Sequence, residues 1–264
     1  MPRIRCWQVD AFTNRPFGGN PAAVCWLETE AESGWMQAVA AEMNLSETAF
    51  VRPQSDGHEL RWFTPTMEVD LCGHATLATA KALWSDELVA RDKPLRFHTR
   101  SGVLTCRAVD ELIELDFPAT PSTEITPSPA LIDSIGLRPT YLGASKYYQM
   151  AVVDSADVVR SIQPDFTKLL QVPTLGLIVT ATSEDPGFDF VSRFFAPAMG
   201  VNEDPVCGSA HCCLTPYWSR RLGKTRLLAY QASARGGILH LRLENDRVIL
   251  GGEAVIVSRG ELYC

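Results

Sequence analysis

A handful of polar residues in this chain combine a type and a setting suited to proton chemistry. Glu47 lies in NLSETAFV, with its Ser46-Glu47 pair set among apolar residues in a strand-like run. A carboxylate with apolar surroundings tends to hold its proton more tightly, which suits a general acid–base near neutrality. His74 directly follows Cys72-Gly73, and Asp204 lies in EDPVCGSAH, just ahead of Cys207-Gly208. Ser209 and His211 follow that second glycine. A Gly-led loop feeding a helix presents unpaired backbone N–H groups at the positive end of the helix dipole. Gly73 and Gly208 therefore mark two places able to hold a carboxylate or phosphate. Neither loop has P-loop or GxGxxG spacing, so no nucleotide is indicated.

Plainer readings stand beside these. Ser46 and Glu47 could face solvent on a half-exposed strand. His74 and Asp204 could serve only as helix caps and dipole partners. His58, His98 and His240 read as surface or strand histidines without a role.

The elements that must position these residues come in two similar sets. Residues 61–73 read RWFTPTMEVDLCG and residues 193–208 read RFFAPAMGVNEDPVCG. Both give Arg, aromatic, Phe, small, Pro, small, Met, any residue, Val, then Asp or Asn, and each reaches Cys-Gly, the second after three extra residues. Phe63 and Phe195 stand half a chain length apart. Helical stretches follow, HATLATAKALW and SAHCCLTPYWSRRLG, the second carrying Pro216 as a kink or a shortened first turn. Duplication of one α/β unit is the direct inference.

Strands are expected at IRCWQVDAF, AAVCWLE, LSETAFV and ELRWF, with a helix at SGWMQAVAAEMN. In that helix Met36, Val39, Ala40 and Met43 share a face, and Ser33 is the expected N-cap. PATPSTEITPSP (118–129) is the linker candidate, dividing the chain into 1–118 and 119–264, with the option that the C-terminal strands cross back to the first half. The chain ends with strands joined by a turn at Glu244-Asn245-Asp246. Strands outnumber helices, so the expectation is α/β with mixed sheets around one main helix per half.

The cysteines offer alternatives. Cys72 and Cys207 occupy matching places in the repeat, which would suit a racemase with two thiols on opposite faces of a carbon. A zinc site from Cys207, His211, Cys212 and Cys213 lacks CxxC or HxxxH spacing, and adjacent helical cysteines diverge, so no metal is assigned. The other thiols, Cys6, Cys25, Cys106 and Cys264, are scattered without a disulfide framework.

Composition sets limits. The chain has 264 residues, 46% hydrophobic and 21% charged, with a net charge of −7. An acidic chain without a basic stripe is a poor match for nucleic acid. No apolar run reaches membrane-span length, and MPRIRCWQVDAF lacks a signal-peptide run, so the expected location is the cytoplasm.

VDAFTNRPFGGNPAAV, NLSETAFV, FTPTMEVDLCGHATLA and EDPVCGSAH, in this order and spacing, resemble the phenazine biosynthesis-like PhzF family over essentially the whole chain. The resemblance implies a diaminopimelate epimerase-like fold: two pseudo-symmetric α/β domains, each a sheet wrapped around a central helix, with an active site in the cleft between them. It also implies a homodimer. In the phenazine enzyme, an isomerase of a dihydro-hydroxyanthranilic acid, the glutamate of the SETAF-like motif moves a proton between ring carbons. Carried over, that glutamate is Glu47, the partners are His74, Asp204 and Ser209, and Gly73 and Gly208 lend backbone donors to a substrate carboxylate. Diaminopimelate epimerase resembles this family in fold and uses one thiol from each half. Cys207 falls near its second thiol, while the expected first position holds Thr76, Leu77 and Ala78, which disfavours a two-thiol mechanism.

The expected function is a cofactor-independent isomerase acting on a small carboxylate. A thiol-assisted racemase using Cys207 and a non-catalytic small-acid binder are the alternatives.

Overall fold

The computed structural model describes residues 3–263, so Cys264 lies outside the described residues. In chain order the first elements are β1 (Arg3–Ala11), β2 (Asn20–Trp26), α1 (Ser33–Met43), β3 (Glu47–Gln54), β4 (Gly57–Phe63), β5 (Glu68–Val69), α2 (Gly73–Ser85), β6 (Leu95–Thr99), β7 (Gly102–Val109) and β8 (Leu112–Pro118). They are followed by β9 (Thr123–Glu124), α3 (Pro129–Ile135), β10 (Tyr141–Ala144), β11 (Tyr148–Val152), α4 (Ala156–Ser161), α5 (Phe166–Leu169), β12 (Gly176–Thr182) and β13 (Phe190–Ala196). The last are β14 (Val201–Asp204), α6 (Gly208–Leu222), β15 (Arg226–Gln231), β16 (Gly237–Glu244), β17 (Arg247–Gly252) and β18 (Ala254–Tyr263). The architecture is mixed α/β. No helix among the described residues is long and apolar enough to cross a membrane.

The chain forms two compact units. One runs to Asp116 and takes in the chain from Gly251 onward; the other is Phe117–Leu250. In the first, β1 pairs antiparallel with β2, β2 parallel with β3, β3 antiparallel with β4, β4 parallel with β6, and β6 antiparallel with β7. In the second, β10, β11, β12, β13, β15 and β16 pair in the same alternation. β5 and β14 each form a short antiparallel arm, on β4 and β13. Each parallel pair needs a crossover. α1 and α2 serve the first unit, and α4 with α5, and α6, serve the second.

The repeat read from the sequence is thus a repeat of pairings. Its arginines keep the same job: Arg61 forks onto Glu68 at 2.8 Å through two nitrogens, and Arg193 onto Glu203 at 2.7 and 2.9 Å. Glu203 comes from the three-residue insertion of the second copy, so the same ion pair is made from a different position of the motif.

α2 is a core helix. Ten of its thirteen residues are buried, and it packs on β1, β2, β3 and β18. A helix apolar on all sides has to be enclosed. Its two buried threonines return their hydroxyls to the helix, Thr76 to the Cys72 carbonyl and Thr79 to the Ala75 carbonyl. A Cβ on Gly252 would stand 2.4 Å from Phe12 Cδ1 and 3.2 Å from Leu77 Cδ1 of α2, so glycine there makes room for the buried Phe12 ring.

Several local expectations change. Ser33 is the first residue of α1 and Glu32 its N-cap; the Ser33 hydroxyl instead accepts from Arg61 at 2.7 Å. Met36, Val39 and Ala40 are buried, with Met43 packed partly against them. The 118–129 stretch is tied down rather than loose: Ala119 N–H donates to the Asp246 carbonyl and Thr120 N–H to that of Cys212, and Ser128 caps α3. Pro216 does not break α6, which runs continuously through it. Proline cannot donate to the carbonyl four residues back, and Thr120 N–H satisfies that carbonyl, on Cys212, at 3.0 Å. β18 pairs antiparallel with β1 from Arg3↔Tyr263 to Ala11↔Ala254. The C-terminal strand therefore covers an edge that β1 would otherwise leave open, and the segment from Gly251 leaves the 119–264 half for the first unit.

Candidate active site

In the first unit, three element starts converge. Asn20 opens β2, Glu47 opens β3, and Gly73 opens α2. The parallel register Ala22↔Glu47 puts the beginnings of β2 and β3 side by side. His74, on the first turn of α2, places Nε2 3.1 Å from Glu47 Oε2. Its Nδ1 lies 3.2 Å from the Asn20 amide nitrogen and 3.5 Å from Cys72 Sγ. The His74 side chain is 5% exposed and that of Glu47 19%, so the glutamate is partly exposed and the imidazole nearly enclosed. The Glu47 contact is at ion-pair distance without hydrogen-bond alignment on Nε2.

Burial by itself would lower the His74 pKa, but the acidic neighbours Cys72 and Glu47, through charge and hydrogen bonding, outweigh it and hold the ring well above its ordinary value. Burial pushes the Cys72 thiol up. Cys72 is the N-cap of α2 with no side-chain capping bond, so its place in the repeat puts a thiol against the histidine.

In the second unit, the turn from β14 into α6 gathers Asp204, Cys207, Gly208 and Ser209. Asp204 Oδ1 accepts from Val206 N–H at 3.0 Å, closing the turn. Cys207 is the N-cap, with Sγ accepting from Ala210 N–H at 3.4 Å. Ser209 Oγ lies 2.9 Å from the Tyr148 hydroxyl and 3.3 Å from Cys207 Sγ. Burial, then the Asp204 charge, pushes the Cys207 thiol well up, and burial likewise raises Tyr148. Gln231, fully buried, clamps the turn from behind: Cys207 N–H donates to its Oε1 at 2.9 Å, and its Nε2 donates to the Asp204 carbonyl at 2.7 Å.

His211 is a core residue. Its Nδ1 lies 2.7 Å from the Cys207 carbonyl and its ring stacks on Phe190. Burial pushes it down to about 4. With His211 and Cys207 engaged in this way, the four-residue zinc set does not assemble; the three-donor group among the described residues is Glu47, Cys72 and His74. His58 is buried between Trp26 and Phe97, away from these groups.

The structure adds Asn20, Tyr148 and Gln231 as neighbours of these residues, which the sequence had not singled out. Asn20 carried a signal, since it lies in the GGNP segment of the first motif. Tyr148 and Gln231 carried none, since each lies at the end of a strand with no motif around it.

The chain matches the model of the phenazine biosynthesis-like protein family over residues 9–260. A protein of Halalkalibacterium halodurans described as an uncharacterized isomerase is 53% identical over 255 residues, covering 96% of each chain. The crystal structure of a PhzF-family phenazine biosynthesis protein from Enterococcus faecalis superposes with a TM-score of 0.96 at 42% identity, covering 100% of both chains. A hydroxyproline epimerase from Agrobacterium vitis, 10% identical with a TM-score of 0.64 over 98% of this chain and 92% of its own, is alike in fold alone. With a family match across nearly its whole length and close relatives described as isomerases, this chain belongs to the phenazine biosynthesis-like PhzF family and is an isomerase.

Proposed function

We propose that this isomerase shifts a proton between carbons of a small carboxylate-bearing substrate without a cofactor, Glu47 carrying the proton. The observation that supports this most is the Glu47–His74 pair: a partly solvent-facing carboxylate 3.1 Å from a buried imidazole. A proton-transfer group needs access to substrate and a partner that fixes its position and charge, and the pair supplies both. His74 orients Glu47, and its positive form balances the carboxylate between proton transfers. The first turn of α2, which no side chain caps, offers backbone N–H groups from Gly73 onward to the substrate carboxylate. Gly208 and Ser209 form the matching anion-binding turn of the second unit, with Cys207 closing its helix start and Asp204 beside it as a further catalytic carboxylate. The resemblance to diaminopimelate epimerase-like proteins and to homodimers of this family is part of the same proposal, and sedimentation equilibrium reads the dimer.

The thiol-based racemase has one observation in its favour: Cys72 and Cys207 are the N-caps of the two repeat-related helices. Burial raising both thiols opposes a resting thiolate base at either. NMR in D₂O with a panel of unsaturated acids, amino acids and a dihydro-hydroxyanthranilate separates the two. Double-bond migration or deuterium uptake lost in Glu47→Gln supports the proton shift; exchange at an amino-acid alpha carbon that survives Glu47→Gln but not Cys207→Ser replaces it with the racemase.

A further inference from the structure

We propose that Cys6 and Cys25 are a redox pair, joined by a reversible disulfide across β1 and β2 when the chain meets a hydroperoxide. The pair is independent of the isomerase reading above.

The two cysteines are distant in sequence and directly opposite in the sheet, since the antiparallel β1–β2 register sets Cys6 against Cys25. Opposite residues of an antiparallel pair point to the same face. The packing agrees. Cys25 is fully buried in a cluster with Leu27, Met36 and Phe50, and Cys6 packs partly against the same cluster.

The backbone bonding shows which kind of opposite pair this is. Leu27 N–H donates to the Val51 carbonyl at 2.9 Å, so Leu27 turns its backbone polar groups toward β3. These directions alternate along a strand, and Cys25, two residues earlier, turns the same way, away from β1. Cys6 and Cys25 are therefore a non-hydrogen-bonded pair, the closer of the two kinds, with Cα atoms about 4.5 Å apart. Disulfides bridge Cα separations of roughly 4.4–6.8 Å, so the backbone already stands at bridging distance. On the other side of β1, Gly260 of β18 lies opposite Cys6. A Cβ at Gly260 would rest on Cys6 Sγ at 3.7 Å, and the bare glycine leaves that thiol room to turn toward Cys25.

Both residues are free thiols in the structure. Cys6 is the partly exposed member and reacts first. Its thiolate attacks one peroxide oxygen and the O–O bond breaks, giving a sulfenic acid and releasing an alcohol or water. The Cys25 sulfur then attacks the Cys6 sulfur; the S–O bond breaks, and the oxygen leaves as water with the Cys25 proton. Two thiols have lost two electrons and two protons, and the peroxide has taken both. Burial pushes the Cys6 thiol up, so attack is slow near neutrality. The bridge closes the chain between Cys6 and Cys25, which removes freedom from the unfolded state and steadies the β1–β2 hairpin.

The test exposes the full reduced chain to hydrogen peroxide for hours, then alkylates it with N-ethylmaleimide and reads intact mass and a non-reduced peptide map. The expected product is a monomer with two fewer alkylated thiols, a peptide pair carrying Cys6 and Cys25, and separation of that pair by dithiothreitol. Cys6→Ser abolishes the pair. Cys25→Ala, checked for native circular dichroism, leaves Cys6 as a sulfenic acid that dimedone traps. Cys72→Ser and Cys264→Ser each retain the bridge. The urea midpoint of the oxidised chain rises and returns with dithiothreitol, and that of Cys6→Ser does not move. Cys6 and Cys25 both recovered alkylated, or Cys6 bridged to another cysteine or to a second chain, overturns the pair. A bridge that leaves the urea midpoint unchanged overturns its stabilising role.

Discussion

His74 Nε2 and Glu47 Oε2, 3.1 Å apart, join the first turn of α2 to the first residue of β3. The contact places a charge-bearing pair where a strand and a crossover helix begin, the glutamate being its more exposed member.

Glu47→Gln should abolish proton exchange while leaving the fold intact. The amide keeps the shape and loses the proton-carrying oxygen, and general acid–base groups contribute about 10²–10⁴-fold to rate. Deuterium incorporation by NMR, with circular dichroism as the fold control, measures it. Full exchange in the mutant would remove Glu47 from the mechanism.

The pair should also carry a pH signature. His74 is raised above its ordinary 6.5, so its stabilising contribution is fully present below that value and is lost as pH rises through the folded-state pKa. A double-mutant cycle of Glu47→Gln and His74→Gln, read by urea unfolding at several pH values, should show a coupling that shrinks toward alkaline pH. A coupling that grows instead would contradict a charged pair.

His211 predicts the opposite limb. Buried and pushed down to about 4 from 6.5, it is neutral in the folded chain, and the unfolded chain binds the extra proton between those values. Stability is therefore complete above about pH 6.5 and falls toward pH 4, by about 3 kcal/mol at most. His211→Gln should flatten that part of the pH–stability curve in chemical denaturation.

Gln231→Leu should loosen the turn before α6. It strands the Cys207 N–H and the Asp204 carbonyl, two backbone groups now held at 2.9 and 2.7 Å. Each unsatisfied buried group costs about 1–3 kcal/mol. A denaturation midpoint unchanged from the native chain would show that water takes over both contacts.

The two repeat arginines should differ in cost. Arg61 forks onto Glu68 and reaches Ser33, whereas Arg193 forks onto Glu203 and also donates through one nitrogen to the carbonyls of Val159, Arg160 and Ile162, at the end of α4. Lysine cannot reproduce a two-oxygen fork with a further set of carbonyls. Arg193→Lys keeps the charge but loses hydrogen bonds to Glu203 and the α4 carbonyls, and is expected to destabilise by about 1.5–3 kcal/mol, with Arg61→Lys clearly less. Equal losses in urea unfolding would refute this asymmetry.

The duplication was legible because it is written locally: the Arg-aromatic-Phe, Pro, Met and Cys-Gly pattern specifies a strand, an arm and a helix start in each copy. Glu47 and His74 were legible as chemistry, since residue type and neighbours suffice to mark an embedded carboxylate and a histidine at a helix start. Their contact was not, because it depends on the parallel register that sets β2 beside β3 and on where α2 enters. Cys72, two residues before His74 at the N-cap of α2, stands beside it by local sequence. Nothing local in the sequence announces that Gln231 closes the turn at Asp204, that Thr120 serves the carbonyl freed by Pro216, or that β18 returns to β1. Those pairings join groups far apart in the chain, and they are fixed by the need to satisfy buried backbone polar groups and strand edges once the fold has formed.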